Sequence, residues 1–212
     1  MSRFDAREVA VKGGFGVRTL VSPSPYTADI DMLIDKPELQ GMNQDKAYQV
    51  CTAYVLENLM AEGEDHFHFQ PTGAAQIIGL RADHAVAKIY VQVAVGDGSF
   101  TSIQIDAGMK PQGVPVQQVS GRDVLGFADI PNPHITTASR EYIAGDKISL
   151  FLETGMERPR DLVHAALLLE EGKYDPGALG NWIEKLARYR GVEGKLLSDL
   201  PEPVGEWLGQ VE

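Results

Sequence analysis

Alternation of apolar and polar positions is the strongest signal in the chain. In "HAVAKIYVQVAVGDGSFTSIQIDAG", residues 84–108, two β-rich runs flank a Gly-Asp-Gly whose glycines supply the positive φ of a tight turn. The stretch predicts a β-hairpin. "EVAVKGG" predicts a short strand ending in a glycine turn, and "FGVRTLV" the start of a helix or an extended step. "SPSPY" is a loop, because two prolines remove donors and fix φ. "TADIDMLI" begins with strict alternation, the period of a strand with one polar edge. Helical spacing appears next, with Tyr48, Cys51, Val55 and Leu59 on one stripe of a helix that should end at Gly63. Beyond Gly113 the strand signal fades through "VPVQQVSGRDVLGFADIPNPH". From Ser139 the pattern turns helical, in "SREYIAGDKISLFLETG", "RPRDLVHAALLLEEG" and "PGALGNWIEKLARYRG", before the tail "LLSDLPEPVGEWLGQ". The expected organisation is a mixed α/β N-terminal lobe followed by a helical C-terminal lobe, without internal repeats.

Composition adds limits. With 212 residues, 43% hydrophobic and 23% charged, the chain can bury a sizeable core. No apolar run reaches the roughly eighteen residues of a membrane span, and the charged N-terminus does not read as a secretory signal. Cytoplasmic residence is the expectation. The single Cys51 excludes an intramolecular disulfide and a zinc-cluster spacing. The formal net charge of −11 excludes a general coat for nucleic-acid backbones, so any RNA contact must be local. Acidity of this degree fits metal ions, a basic partner, or simple solubility.

The chemistry starts from Asp29 and Asp31 in the "DIDMLI" strand. Residues i and i+2 of a strand face one side, so the two carboxylates project together. Adjacent carboxylates repel and are costly to bury without a cation between them. Mg²⁺ suits such a pair, because it takes oxygen ligands from one or two carboxylates plus substrate phosphates. "SIQIDAG" offers a third acid, Asp106, in a similarly apolar strand. Gly13 and Gly14 follow a strand, where bare backbone N–H groups can approach phosphate oxygens. A glycine pair alone is most often a turn, and a lone D-x-D is often a solvated edge. In this order they form a phosphoryl- or nucleotidyl-transfer layout, in which two metals clamp the attacking and leaving oxygens.

On these residues the sequence resembles the AbiEii/AbiGii-type nucleotidyltransferase toxins, including the MenT group, within the DNA polymerase β-like superfamily. Gly13-Gly14 and "TADIDMLID" match the first motif, and "IQIDAG" matches the superfamily's third acid, Asp106. In the helical half, "AGDKI" supplies Lys147, and "RPRDLVH" supplies Arg160 and Asp161. "DHFHFQP" and "LGFADIPNPHI" resemble connecting segments, so the likeness spans roughly residues 8–171 and leaves the last forty or so uncovered. Pro25 stands where many relatives carry an arginine, which Arg18 is a candidate to replace, and His164 stands where the last helix has a second acid.

The resemblance implies an α+β fold: a polymerase β-like mixed-sheet catalytic lobe over residues 1–135 and a helical lobe over 136–212. It implies a Mg²⁺- or Mn²⁺-dependent enzyme that takes an NTP, ATP included, and transfers its NMP to an acceptor. A tRNA 3′ end is the leading acceptor, and an antitoxin protein is the expected partner. Asp29, Asp31 and Asp106 would bind metal, with Asp106 also activating the acceptor oxygen. Gly13, Gly14, Arg18 and Lys147 would contact the nucleotide, Lys147 facing the site from the helical lobe, and Asp161 would orient Lys147 or the acceptor. From the residues alone, Lys147 reads equally as a helix-surface lysine, and Asp161 as an acid placed near a helix N-terminus. "EKLARYRGVEGK" offers Lys185, Arg188, Arg190 and Lys195 as a local basic contact or as a solvated helix face. His66, His68 and His84 are too scattered for a metal cluster. Transfer to a small molecule or protein hydroxyl, or a degenerate protein that only binds nucleotide or a partner, are the rival readings.

Overall fold

In the computed structural model, which describes residues 3–21, 27, 29–61, 67–78, 86–96, 98–120, 134–170 and 173–194, the alternating hairpin is the centre of a mixed sheet. Its strands, β5 (Val86–Val95) and β6 (Gly98–Met109), pair antiparallel from Val86↔Gly108 to Val95↔Gly98, with Gly96 at φ 58° in the turn. Around them stand β1 (Val9–Lys12), β2 (Asp29–Ile34), β3 (Phe67–Pro71), β4 (Gln76–Ile78), β7 (Val116–Ser120) and β8 (His134–Ala138). The strand order is β3-β5-β6-β2-β1-β8-β7, with β4 also on β5. Strands β2 and β6 run parallel, as do β1 and β8, and the other pairs are antiparallel.

The fading signal after Gly113 is corrected here: β7 and β8 pair with each other and extend the sheet beyond β1. "FHFQP" is likewise a strand, pairing with the far half of β5. The glycine turn expected after β1 is made at Gly13, left-handed at φ 58°, and it leads into a helix without an intervening loop. The chain passes from Lys12 directly into helix α1 (Gly13–Leu20). Helix α2 (Gln44–Met60) carries the predicted stripe, is capped by the Asn43 side chain accepting from the Lys46 N–H, and ends at Met60. Gly63, Pro25, His66, His84 and Lys195 lie outside the described residues.

Period-2 burial decides which helix covers which face. Met32, Ile34, Ala87, Ile89, Val91, Ile105 and Ala107 form one core with Cys51, Val55 and Leu59 of α2. Burial there pushes the Cys51 thiol up to about 11, as befits an inert core residue. Leu33 and Ala10, opposite each other in register, are buried on the other face, where α1 packs on β1, β2 and β8. Further along that face the sheet is polar and half-exposed, and there the carboxylates lie.

The chain divides into two compact units, Met1–Ala138 and Ser139–Glu212. In the second, the described helices are α3 (Arg140–Thr154), α4 (Pro159–Glu170) and α5 (Pro176–Arg190). Ser139 caps α3, accepting from the Tyr142 N–H, and Asp175 caps α5, accepting from the Gly177 and Ala178 N–H groups. Gly191, left-handed at φ 67°, ends α5. Gly145 sits within α3 because α5 passes too close for a side chain: a Cβ there would lie 3.0 Å from that of Trp182. The Trp182 ring meets Tyr142 edge-on at 5.1 Å. Among the described residues, no helix is long and apolar enough to cross a membrane.

Candidate active site

Register brings the acids together. Parallel pairing of β2 with β6 sets Asp31 opposite Asp106 and Asp29 opposite Gln104. Antiparallel pairing on the two flanks sets Lys12 opposite Asp31 and Lys88 opposite Asp106. One row of the sheet therefore reads Lys12, Asp31, Asp106, Lys88, with two carboxylates inside two ammonium groups. Registered neighbours share a face, so all four side chains leave the sheet on the side away from α2. Asp29 stands one step along β2 on the same side.

Each acid is held differently. The Thr27 hydroxyl donates to Asp29 Oδ1 at 2.6 Å, and Gln104 Nε2 donates to Asp106 Oδ1 at 3.0 Å. Asp31 lies against the start of α1. A Cβ built on Gly13 would sit 1.8 Å from Asp31 Oδ2, and Gly13 adopts φ 58°. Glycine is thus required twice, for its left-handed backbone and for the seat of the carboxylate. Gly13→Ala is expected to cost at least the roughly 1–2 kcal/mol of a left-handed L-residue. It should also displace Asp31, so that activity falls further than stability; urea melts beside activity per folded molecule measure both.

The Asp106 carboxyl is raised above its usual range. Burial is the main cause and the charge of Asp29 adds to it, while Lys88, the Gln104 hydrogen bond and Lys12 oppose it. A carboxyl raised in the folded state binds more protons there than in the unfolded chain. Its cost to stability is absent below the unfolded value of 3.8 and is fully present above the raised folded one. Asp106→Asn should therefore raise the melting temperature of the metal-free protein at neutral pH. The gain should shrink as the pH falls toward 4, which a pH series of thermal melts checks.

The chemistry of the donor set fits a hard divalent cation: three carboxylates on one face, two in direct register. The side chains are not drawn into a finished cage, and among the described residues no three His, Cys, Asp or Glu groups are gathered as a ligand set. Mg²⁺ commonly takes one or two protein carboxylates and completes its shell with water and phosphate, so the registered pair meets the requirement. Helix α1 begins beside that pair, its first-turn N–H groups uncapped by any side chain of Lys12. Gly13 and Gly14 are both buried there, and Arg18 lies in the last turn, about 7.5 Å along the axis from Gly13.

The remaining candidates lie in the helical unit. Lys147 is not a surface lysine. Its Nζ donates to Asp161 Oδ1 at 2.7 Å, and the two side chains are only 10% and 4% exposed. The other oxygen, Asp161 Oδ2, forms an ion pair with Arg158 Nε at 3.0 Å without accepting a hydrogen bond, and Arg160 is exposed. Arg158 is not among the residues that the sequence singles out, although it stands three residues before Asp161, the spacing of an i,i+3 pair, whereas Arg160 is adjacent to the acid. Arg190 also leaves the basic patch: it reaches Ser149 Oγ at 3.0 Å and pairs with Asp146 and Glu153 of α3. Arg188 pairs with Glu184, and Lys185 lies over the Trp182 ring. His164 is buried and His68 exposed on β3.

Paired strand carboxylates beside a glycine-opened helix suit a hard cation next to phosphate oxygens. The profile of the AbiEii nucleotidyl transferase toxins of type IV toxin–antitoxin systems matches residues 1–207, and the chain belongs to that family. The match runs past the span of roughly residues 8–171 expected above and takes in α5. A comparison with curated proteins finds no match. Among solved structures, the chain is similar to MenT4, a nucleotidyltransferase toxin of Mycobacterium tuberculosis H37Rv. That alignment has 12% identity and a TM-score of 0.40, and covers 94% of this chain and 78% of that one. The fold is α+β, a mixed sheet followed by helices, and the family supplies an NTP as substrate and an antitoxin as counterpart.

Proposed function

We propose that the protein transfers an NMP from an NTP to the 3′-hydroxyl of a tRNA, with Asp29, Asp31 and Asp106 as the divalent-cation site. The observation that carries this reading is the Asp31–Asp106 register beside the first turn of α1. When bound, Mg²⁺ or Mn²⁺ supplies positive charge to the phosphoryl oxygens and lowers the cost of displacement. The backbone N–H groups of Gly13 and Gly14 receive the β- and γ-phosphates at the positive end of α1. The acceptor 3′-oxygen attacks the α-phosphorus, a new P–O bond forms, and the bond to the bridging oxygen breaks to release pyrophosphate. Asp106, raised by burial, accepts the hydroxyl proton. Lys147 is assigned to the triphosphate and Asp161 to holding that lysine, through the hydrogen bond between them. The ammonium carries three donors and spends one on Asp161.

Incubation with each of the four α-labelled NTPs, Mg²⁺ and total tRNA tests the reading. Label on the tRNA 3′ end, and none from γ-labelled NTP, is expected. Label confined to a small molecule or protein would overturn the tRNA assignment, and label on nothing would overturn transfer itself.

A further inference from the structure

The face that carries the acids continues past them onto β5. Tyr90 pairs with Gln104 in the row next to Lys88–Asp106, and alternation puts Tyr90 on the same side as both. Its neighbours in sequence, Ile89 and Val91, are buried toward α2, while Tyr90 is 39% exposed. An aromatic ring thus lies open on the sheet, one row from the proposed reacting centre. Ser102, Gln92 and Gln104 continue that polar face, and Lys88 adds a cation beside Asp106.

The side of the site is set by the reaction geometry. An in-line displacement brings the attacking oxygen to the α-phosphorus opposite the leaving pyrophosphate. The pyrophosphate belongs at the start of α1, on the β1–β2 side of the row. The acceptor must therefore approach from the β6–β5 side, over Asp106, where Lys88 and Tyr90 stand. Successive rows on one face are about 6.8 Å apart, comparable to the reach of one nucleotide from its 3′-oxygen to its base. We propose that Tyr90 is the stacking platform for the unpaired terminal base of the RNA acceptor, with the Lys88 ammonium taking the adjacent phosphate. This rests on the transfer reading above and gives the acceptor a binding residue. Stacking on an aromatic ring selects single-stranded ends without selecting sequence. It also lets an acidic protein bind RNA through a local contact.

The test compares wild type, Tyr90→Ala and Tyr90→Phe in label transfer, with acceptor and NTP varied separately. Tyr90→Ala should raise KM for tRNA about ten- to a hundredfold, the range that base stacking supplies, and leave KM for NTP and the melting temperature unchanged. Tyr90→Phe should restore the wild-type KM. A short single-stranded RNA with the same 3′ end should show the same ratio between the variants. An unchanged acceptor KM in Tyr90→Ala, or a raised KM for NTP instead, would overturn the platform while leaving the transfer reading intact. Wild type that labels no RNA would overturn both.

Discussion

Asp31→Ala reduces nucleotidyl transfer to background while the metal-free protein melts no lower than wild type. Two opposed effects lie behind this expectation. Asp31 and Asp106 stand in register, with Asp29 one step away, and carboxylates held side by side repel by roughly 1 kcal/mol or more at an intermediate dielectric. Lys12 and Lys88 offset part of this from the ends of the row. Removing Asp31 relieves the repulsion but takes away the proposed metal ligand nearest the turn proposed to bind phosphate. It also opens space over Gly13, whose backbone the carboxylate now covers. A structural Asp31 predicts the reverse, with lower stability and activity lost only in proportion to unfolding. Melts without Mg²⁺, set beside transfer per folded molecule, separate the two.

Asp161→Ala has the largest expected effect on stability. It leaves the Lys147 ammonium buried without its 2.7 Å partner, and breaking a buried pair from one side costs about 3–5 kcal/mol. At about 2–4 °C per kcal/mol for a chain of this size, the loss is easily read in a melt. Replacing both partners, Lys147→Met with Asp161→Leu, removes the stranded charge and should recover most of that stability. Activity should not return with it if Lys147 has the triphosphate role proposed for it. A double variant that recovers both would make the pair purely structural.

The legible parts of this chain were those whose pattern is local. The β5–β6 hairpin, β2 and the helices announce themselves through period and punctuation, and the D-x-D follows from alternation alone. Strands β7 and β8 were not legible. "VQQVS" is mostly exposed and "HITTA" is short and rich in threonine, so neither shows an apolar face, and they are strands because β8 pairs with β1 and β7 pairs with β8. The lysines flanking the acids lie between. Alternation in "VAKIYVQV" puts Lys88, Tyr90 and Gln92 on one side, but only the register sets Lys88 against Asp106. The burial of Lys147 and Arg190 depends on partners 14 and 44 residues away, beyond any local pattern.

Binding of Mn²⁺, followed by the loss of its free-ion electron spin resonance signal, tests the paired carboxylates without relying on turnover. Wild type with NTP present should bind the ion, and Asp31→Asn and Asp106→Asn should each weaken binding at least about tenfold, the worth of one charge-bearing ligand at about 1.4 kcal/mol or more. Equal Mn²⁺ binding by wild type and both folded variants would contradict a divalent-cation site at Asp31 and Asp106.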